Sequence, residues 1–497
     1  MVVLCMVSVG IHLVRLGAPG AVLAPSEDQC RRLPPIGQGP CYELIPLDEV
    51  HYVPDARDVI RYGTPSDQRV PTGEGQSGRF VVHPPVGKWF IAAGIKAFGD
   101  TPFGWRFFGA LFGALSSIVL YLIARRLWQP RWAAVMAGGL LAVEGLWFVQ
   151  SRVAMLDIYV SAFFLLGVWL LLEDRARVEP DAHGIRWWRI GAALAFGFAL
   201  ATKWSIIPLI AMAVGLAFAW ELARASAARN PRRIARTASF LGVFLLIPAA
   251  VYIASYIPWF ADGQRYSPGD CPERGNLITE QACYHGQMIN FHRKLAKFEE
   301  VEPAEDAPET TPARFEPGHP YFGEAWSWPW IGRPVAHHFE SVEGTGEASE
   351  VLGLPNPFIW WPAFALGVPF LAWWTIRRGD QVAPILASVI AAGWAPYLFA
   401  DLIDRPVFLF YATPIVPFLV LAVVHLNVRL LAAHPTAAWV PIGYGVVAVA
   451  AFVYFYPVIA AHPIPRKGPL GWDAHMWFSG NLSDCSVTDR IKMFCWI

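Results

Sequence analysis

The chain has 497 residues, is 55% hydrophobic, and carries 39 basic and 39 acidic side chains. Only 16% of its residues are charged, where soluble domains carry about a quarter, and apolar runs of about 18 or more residues recur along it. This excludes an ordinary soluble domain, and zero net charge gives no electrostatic reason for a nucleic-acid partner. The sequence reads as an all-α polytopic membrane protein.

Residues 1–17 read as a first span rather than a cleaved leader, because they lack a basic n-region and a small-residue cleavage site. Residues 18–100 are rich in Pro, Gly and charge and read as a loop. Within them, 54–62 predicts a short helix, with Pro54 at its start, Asp55 and Asp58 in its early turns, and Gly63 as its stop. Thr101 and Pro102 then start the second span. That span ends at Arg125, Arg126 and Arg131, a basic cluster that places this end in the cytoplasm.

A third span over 132–150 carries Glu144, read as a hydrogen-bond partner between helices. Residues 152–157 form a polar break, and a fourth span covers 158–173. The run 186–222 has basic residues at both ends, so it should cross twice and turn near Lys203 and Trp204. A seventh span covers 239–258. A polar outer loop, 259–354, follows and contains an acidic, Pro-rich patch at 299–312. Spans eight to eleven fall at 355–376, 382–400, 407–429 and 437–460. The expected topology has about eleven spans, the N-terminus inside and the C-terminus outside. It divides into an N-terminal catalytic module (1–258, seven spans, first outer loop 18–100), the outer loop 259–354, the C-terminal spans 355–460 and an outer tail 461–497.

Cys5 falls in the first span. Cys30 and Cys41, Cys271 and Cys283, and Cys485 and Cys495 form three close pairs in segments assigned outside, which matches an oxidising compartment. Disulfides and free thiols both fit, and the connectivity is open. The tryptophans Trp326, Trp328, Trp330, Trp360 and Trp361 read as an interfacial belt. Asn481-Leu482-Ser483 fits a glycosylation sequon without an assigned role, and His337-His338 reads as a loop feature.

Under this topology Asp48, Glu49, His83, Lys88, Arg152, Asp157, Lys203 and Arg405 all map to the outer side. A single charge at a span end commonly snorkels to the interface. A gathering on one face points instead to a polar cavity. Carboxylates take a proton from a hydroxyl. Arg and Lys hold phosphate, Arg through a fork of donors and Lys as a point charge. A sugar leaving a phosphodiester needs both: charge for the departing phosphate and a base for the incoming hydroxyl.

Several motifs occur in order along the chain: Asp48-Glu49-Val50-His51-Tyr52, His83-Pro84-Pro85-Val86-Gly87-Lys88, Ser151-Arg152 through Leu156-Asp157, and Ala201-Thr202-Lys203-Trp204-Ser205. Trp326-Ser327-Trp328-Pro329, Arg333-Pro334-Val335, Asn356-Pro357-Phe358 and the stretch from Arg405 to Pro417 follow. This ordered set resembles the protein O-mannosyltransferase family, membrane glycosyltransferases of the GT-C fold that use polyprenyl-phosphate mannose. The resemblance implies transfer of mannose to Ser or Thr of secreted proteins in one inverting step. It implies Asp48 as the acceptor-side base with Glu49 beside it in the catalytic pair, and Arg152, Lys203 and Arg405 as donor-phosphate holders. His83, Lys88, Asp157 and Trp204 would shape the site. No cofactor is required, and a divalent metal is left open. The expected partners are the bilayer, the lipid-linked donor and a secreted polypeptide, with the secretion translocon as a candidate meeting place. The active site is expected on the extracytoplasmic side of a cell membrane.

Three features depart from the family pattern. The lead into Asp48 is long, the 259–354 loop is too short for the β-trefoil domain of eukaryotic members, which favours a bacterial type, and the tail adds Cys485 and Cys495. The competing readings are a GT-C enzyme with a lipid or polysaccharide acceptor, and a polytopic transporter. The second is disfavoured because the charges lie at outer ends and no repeat is evident.

Overall fold

The computed structural model describes residues 1–20, 49–63, 83–177, 185–227, 231–258, seven positions between 279 and 289, 321–478 apart from 322, 343, 344, 378, 403, 404 and 406, and Trp496. Asp48, Asn481, the 299–312 patch and the cysteines other than Cys5 and Cys283 lie outside the described residues. Cys5 is a free thiol and Cys283 is disulfide-bonded.

The chain is mostly helical. Its first half runs through α1 (Val2–Leu13), α2 (Glu49–Tyr62), α3 (Val86–Phe98), α4 (Pro102–Leu127), α5 (Arg131–Ala142), α6 (Gly145–Arg152), α7 (Asp157–Ala176), α8 (Trp187–Leu200), α9 (Ile207–Ala227) and α10 (Pro231–Ala254). The second half contributes α11 (Pro357–Arg377), α12 (Ala383–Leu402), α13 (Leu409–Ala433) and α14 (Trp439–Ile459). Among the described residues, six helices are long and apolar enough to cross a membrane, or seven if α5 and α6 are one broken span.

Local chemistry accounts for several boundaries. Thr101 Oγ1 accepts the Gly104 N–H at 3.3 Å and Pro102 opens α4, as its sequence predicts. Gly63, at φ +76°, ends α2. The α5–α6 pair bends by 54°. Glu144 stabilises that bend: it caps α6 by accepting the Trp147 N–H at 2.7 Å, and it also takes the Asn356 N–H at 3.0 Å. One buried carboxylate therefore links two distant parts of the bundle, the role its position inside a span suggested. A Cβ on Gly109 or Gly113 of α4 would collide with Ser151, so those two glycines let α4 and α6 cross closely.

The run 186–222 folds back on itself at Lys203. Arg189 at its start bonds Glu221 near its end at 2.9 Å, and Arg186 reaches the same carboxylate at 3.1 Å. Asp174 at the end of α7 joins this ionic cluster through Arg186 at 2.6 Å. The helical break at 201–203 is therefore at the opposite end from these charges.

Four expectations need correction. Residues 18–100 are not all loop: α2 starts at Glu49, ahead of Pro54, and α3 lies in the same stretch. Pro54 therefore lies inside the helix rather than at its start, where its ring nitrogen cannot supply the i→i−4 hydrogen bond. The protein is not wholly α-helical. Strands β1 (Val335–Val342), β2 (Glu347–Gly353) and β3 (Ile464–Pro465) form an antiparallel sheet in that order, so the tail pairs with the preceding loop region. His337 and His338 lie on β1 rather than in a loop. A register irregularity between Ala336 and His338 breaks the strand's alternation, and both imidazoles are buried. Finally, Trp328 and Trp360 are core residues, with the Trp360 indole donating to the Trp328 carbonyl, whereas Trp326 and Trp330 are exposed.

The sheet holds a titratable group of its own. Glu350 on β2 is buried and accepts the Trp472 indole N–H from the tail, and its Oε1 has no partner among the described residues. Burial pushes this carboxyl from 4.5 up to about 8. The folded chain then binds the proton more tightly than the unfolded chain, so this contribution to stability is complete below pH 4.5 and is lost as pH rises to about 8. Thermal unfolding of the detergent-solubilised protein should show Glu350→Gln gaining on the wild type across that window. Parallel curves would remove Glu350 as the source.

Candidate active site

Segments far apart in sequence meet where α2, α3 and α7 begin and α6 and α8 end. The Val86 N–H donates to the Ala201 carbonyl at 3.1 Å, joining the His83-Pro84-Pro85 turn to the loop that carries Lys203. Gly87 sits so close to Leu156 and Thr202 that a Cβ would collide with the Leu156 side chain. The Ala154 N–H donates to Glu49 Oε1 at 2.7 Å. All four of the first motifs thus converge at one end of the bundle, and Tyr52 packs against His83 at 6.3 Å between ring centres.

Three buried cation–carboxylate pairs hold this end. Arg106, in the first turns of α4, forms a two-pronged pair with Glu49: Nε to Oε1 at 2.7 Å and Nη2 to Oε2 at 2.8 Å. Its Nη1 donates to the carbonyls of Leu16 and Pro19 at 3.3 and 3.1 Å. Lys88 Nζ meets Asp55 Oδ2 at 2.7 Å. Lys203 Nζ lies 2.9 Å from both oxygens of Asp157. Buried charges of this kind hold only when each is paired and hydrogen-bonded.

Two of the expected site residues are already engaged by protein groups. Glu49 accepts three donors on two oxygens and is fully buried, so it is a clamp rather than a free base. Arg152 spends its fork on the end of α1, donating to Val14 at 2.5 Å and Arg15 at 2.9 Å, and its guanidinium lies 4.7 Å from the Phe148 ring centre. It binds the backbone that follows α1, where the Arg15 carbonyl also accepts the Ala18 N–H at 2.9 Å. Arg405, by contrast, is exposed. It lies within electrostatic reach of Tyr397 on α12.

Trp204 donates to the Tyr252 hydroxyl at 3.2 Å and stacks on His285 at 5.9 Å, while Tyr252 and His285 bond each other at 2.7 Å. Lys203 Nζ sits 5.0 Å from the Tyr411 ring centre. The sequence reading missed Arg106, Tyr252, His285 and Tyr411. Arg106 had a usable signal, a charge inside the first turns of a span. The aromatic residues had none beyond composition. Among the described residues, no group of three or more His, Cys, Asp or Glu could hold a metal ion.

The clamp is testable by a double-mutant cycle. Glu49→Gln and Arg106→Met should each destabilise the protein by about 3–5 kcal/mol, because each strands a buried charge, and the double variant should lose clearly less than the sum. Additive losses in thermal unfolding would show that the pair is not coupled.

Residues 75–262 match the family described as dolichyl-phosphate-mannose-protein mannosyltransferase. The chain is 31% identical to a polyprenol-phosphate-mannose--protein mannosyltransferase of Mycobacterium tuberculosis, across 87% of this chain and 85% of that protein. It is 30% identical to the protein of that name in Corynebacterium glutamicum, across 76% and 75%. Its fold is similar to the Saccharomyces cerevisiae protein O-mannosyltransferase Pmt1–Pmt2 complex bound to the sugar donor, with a TM-score of 0.70 at 15% identity over 93% of this chain and 90% of that one. With a relative of this identity and coverage behind the ordered motifs, the chain belongs to the protein mannosyltransferase family.

Proposed function

We propose that this chain is a membrane glycosyltransferase that moves mannose from polyprenyl-phosphate mannose to Ser or Thr hydroxyls of exported polypeptides. The observation that carries this reading is the meeting of the acidic, His-Pro-Pro, Ser-Arg and Lys-Trp segments around three buried cation–carboxylate pairs. In the proposed displacement, Asp48 takes the acceptor hydroxyl proton. The hydroxyl oxygen bonds the anomeric carbon from the face opposite the phosphate, and the old carbon–oxygen bond breaks with its electron pair leaving on the phosphate. That phosphate needs positive charge more than a proton. Lys203 and Arg405 are assigned to supply it, Lys203 by exchanging Asp157 for the phosphate, whereas Arg152 keeps α1 in place. His83, Lys88 and Trp204 shape the cavity walls, and no cofactor is invoked. Because Asp48 is joined to Glu49, the Arg106 clamp fixes the backbone next to the base.

We further assign eleven spans, with the N-terminus inside, the tail outside and the site on the extracytoplasmic side. Support comes from the basic clusters at the cytoplasmic ends and from a helix in each expected apolar segment (α1, α4, α5 with α6, and α7 to α14), six or seven of which are long and apolar enough to cross a membrane. An exported acceptor would arrive on the same side, with the translocon as its route.

Asp48→Asn should lower transfer to a Ser/Thr peptide by at least about a hundred-fold, the loss expected for a general base, with unfolding unchanged. Near-normal turnover removes Asp48 from that role. In a background without other reactive thiols, single cysteines at positions 60 and 470 should react with an impermeant reagent added outside intact cells, and one at 230 should not. The reverse pattern overturns the topology.

A further inference from the structure

Two buried polar side chains outside the scheme above lie against each other. Gln150 on α6 and His337 on β1 meet at 2.9 Å, amide Nε2 to imidazole Nε2. Gln150 Oε1 and His337 Nδ1 have no partner among the described residues, although the two residues are 0% and 4% exposed. The shared hydrogen bond determines what is left over. If the amide N–H donates, the imidazole proton sits on Nδ1, so the two unpartnered atoms are a donor (Nδ1–H) and an acceptor (Oε1). Exchanging the amide oxygen and nitrogen reverses the roles and again leaves a donor and an acceptor. Leaving buried polar groups unmatched is costly.

The surroundings are suited to a neutral ligand. Gly353, across the sheet, makes room for the ring: a Cβ there would lie 3.3 Å from His337 Nε2. Burial holds the His337 imidazole down at about 4, so it is uncharged at neutral pH. Phe410 packs against His337 at 5.7 Å between ring centres, and Lys203 Nζ is 5.9 Å from the same Phe410 ring centre. Phe408 stacks on Phe410 at 5.2 Å. The pair is thus one aromatic ring away from the cation assigned to the donor phosphate. Phe410 lies on a 3-10 turn, Leu409–Ile415, rather than within a regular helix.

We propose that Gln150 and His337 form the subsite that reads hydroxyl groups on the donor's sugar ring, with Phe410 as its apolar wall. This rests on the transferase reading above and adds the residues that choose the sugar. A phosphate would call for cations. A hydroxyl both donates and accepts, and an aromatic wall covers the C–H face of a pyranose. With the phosphate at Lys203, the attached ring extends along Phe410 toward the pair.

The test uses the full-length protein in detergent or membranes, a Ser/Thr peptide acceptor, and polyprenyl phosphates carrying mannose, glucose and each monodeoxymannose. For the wild type, at least one deoxy donor should lose about ten-fold or more in kcat/KM, the size of an unmatched buried hydrogen bond. In Gln150→Met and His337→Phe the mannose donor should fall to that level, and the same deoxy donor should lose little more. Binding of bare polyprenyl phosphate should be unchanged in both variants. A flat deoxy series in the wild type overturns the proposal whether or not the variants fold. So does an equal loss with every donor, or weaker binding of the bare lipid phosphate, in folded variants. If His337→Phe does not fold, His337→Asn takes its place with the same expected pattern. No transfer by the wild type from any donor overturns the transferase reading itself, and this inference with it.

Discussion

The Glu49–Arg106 pair is the contact on which the active end of the protein depends. Both side chains are almost fully removed from water, and each would be costly there alone. The pair persists because every side-chain nitrogen and oxygen in it is engaged. Glu49 also accepts the Ala154 N–H, and Arg106 also donates to the carbonyls of Leu16 and Pro19. One ion pair therefore joins the end of α1, the start of α2, the first turns of α4 and the loop before α7. Such a contact positions an adjacent residue better than a surface pair can, since the low dielectric that makes it costly also makes it unforgiving of displacement.

The same logic repeats beside it. Lys88 is held by Asp55 and Lys203 by Asp157, so these two cations near the proposed donor site are already paired with carboxylates. In the proposed reaction the donor phosphodiester, a monoanion, has to compete with Asp157 for Lys203, so placement rather than charge alone must favour it. Arg152 illustrates a different use of the same residue type. Its fork is spent on backbone carbonyls, which fixes α1 against α6. The sheet closes this end: His338 lies within the electrostatic influence of Arg106, and His337 reaches Gln150 on α6.

Much of the bundle was legible because hydrophobic segments, basic flanks and helix-start residues are local signals. Thr101 and Pro102 start a helix wherever they are placed, and the basic residues flanking 186–222 already demanded a return crossing. Other features had no local signal. The α3 helix lies in a segment whose neighbours are Pro- and Gly-rich, and the β-strands sit within a long polar loop. Trp328 and Trp360 look like any interfacial tryptophans until packing buries them. The motif residues were found, but Arg106, which explains Glu49, was passed over as one charge among many.

The sequence by itself determined that the chain is a membrane protein, where most of its helices begin and end, and which motif residues could carry phosphate and proton chemistry. These follow from composition, periodicity and residue type, which need no partner. Only the tertiary structure decided how those residues are used. Two carboxylates that are adjacent in sequence, or two arginines with the same chemistry, differ in function through what they touch. Glu49 is a clamp because Arg106 and Ala154 reach it, and Arg152 is a tether because it binds the backbone that follows α1. Those partners lie tens of residues or more away along the chain, and hydrogen bonds over such separations are specified by packing rather than by spacing.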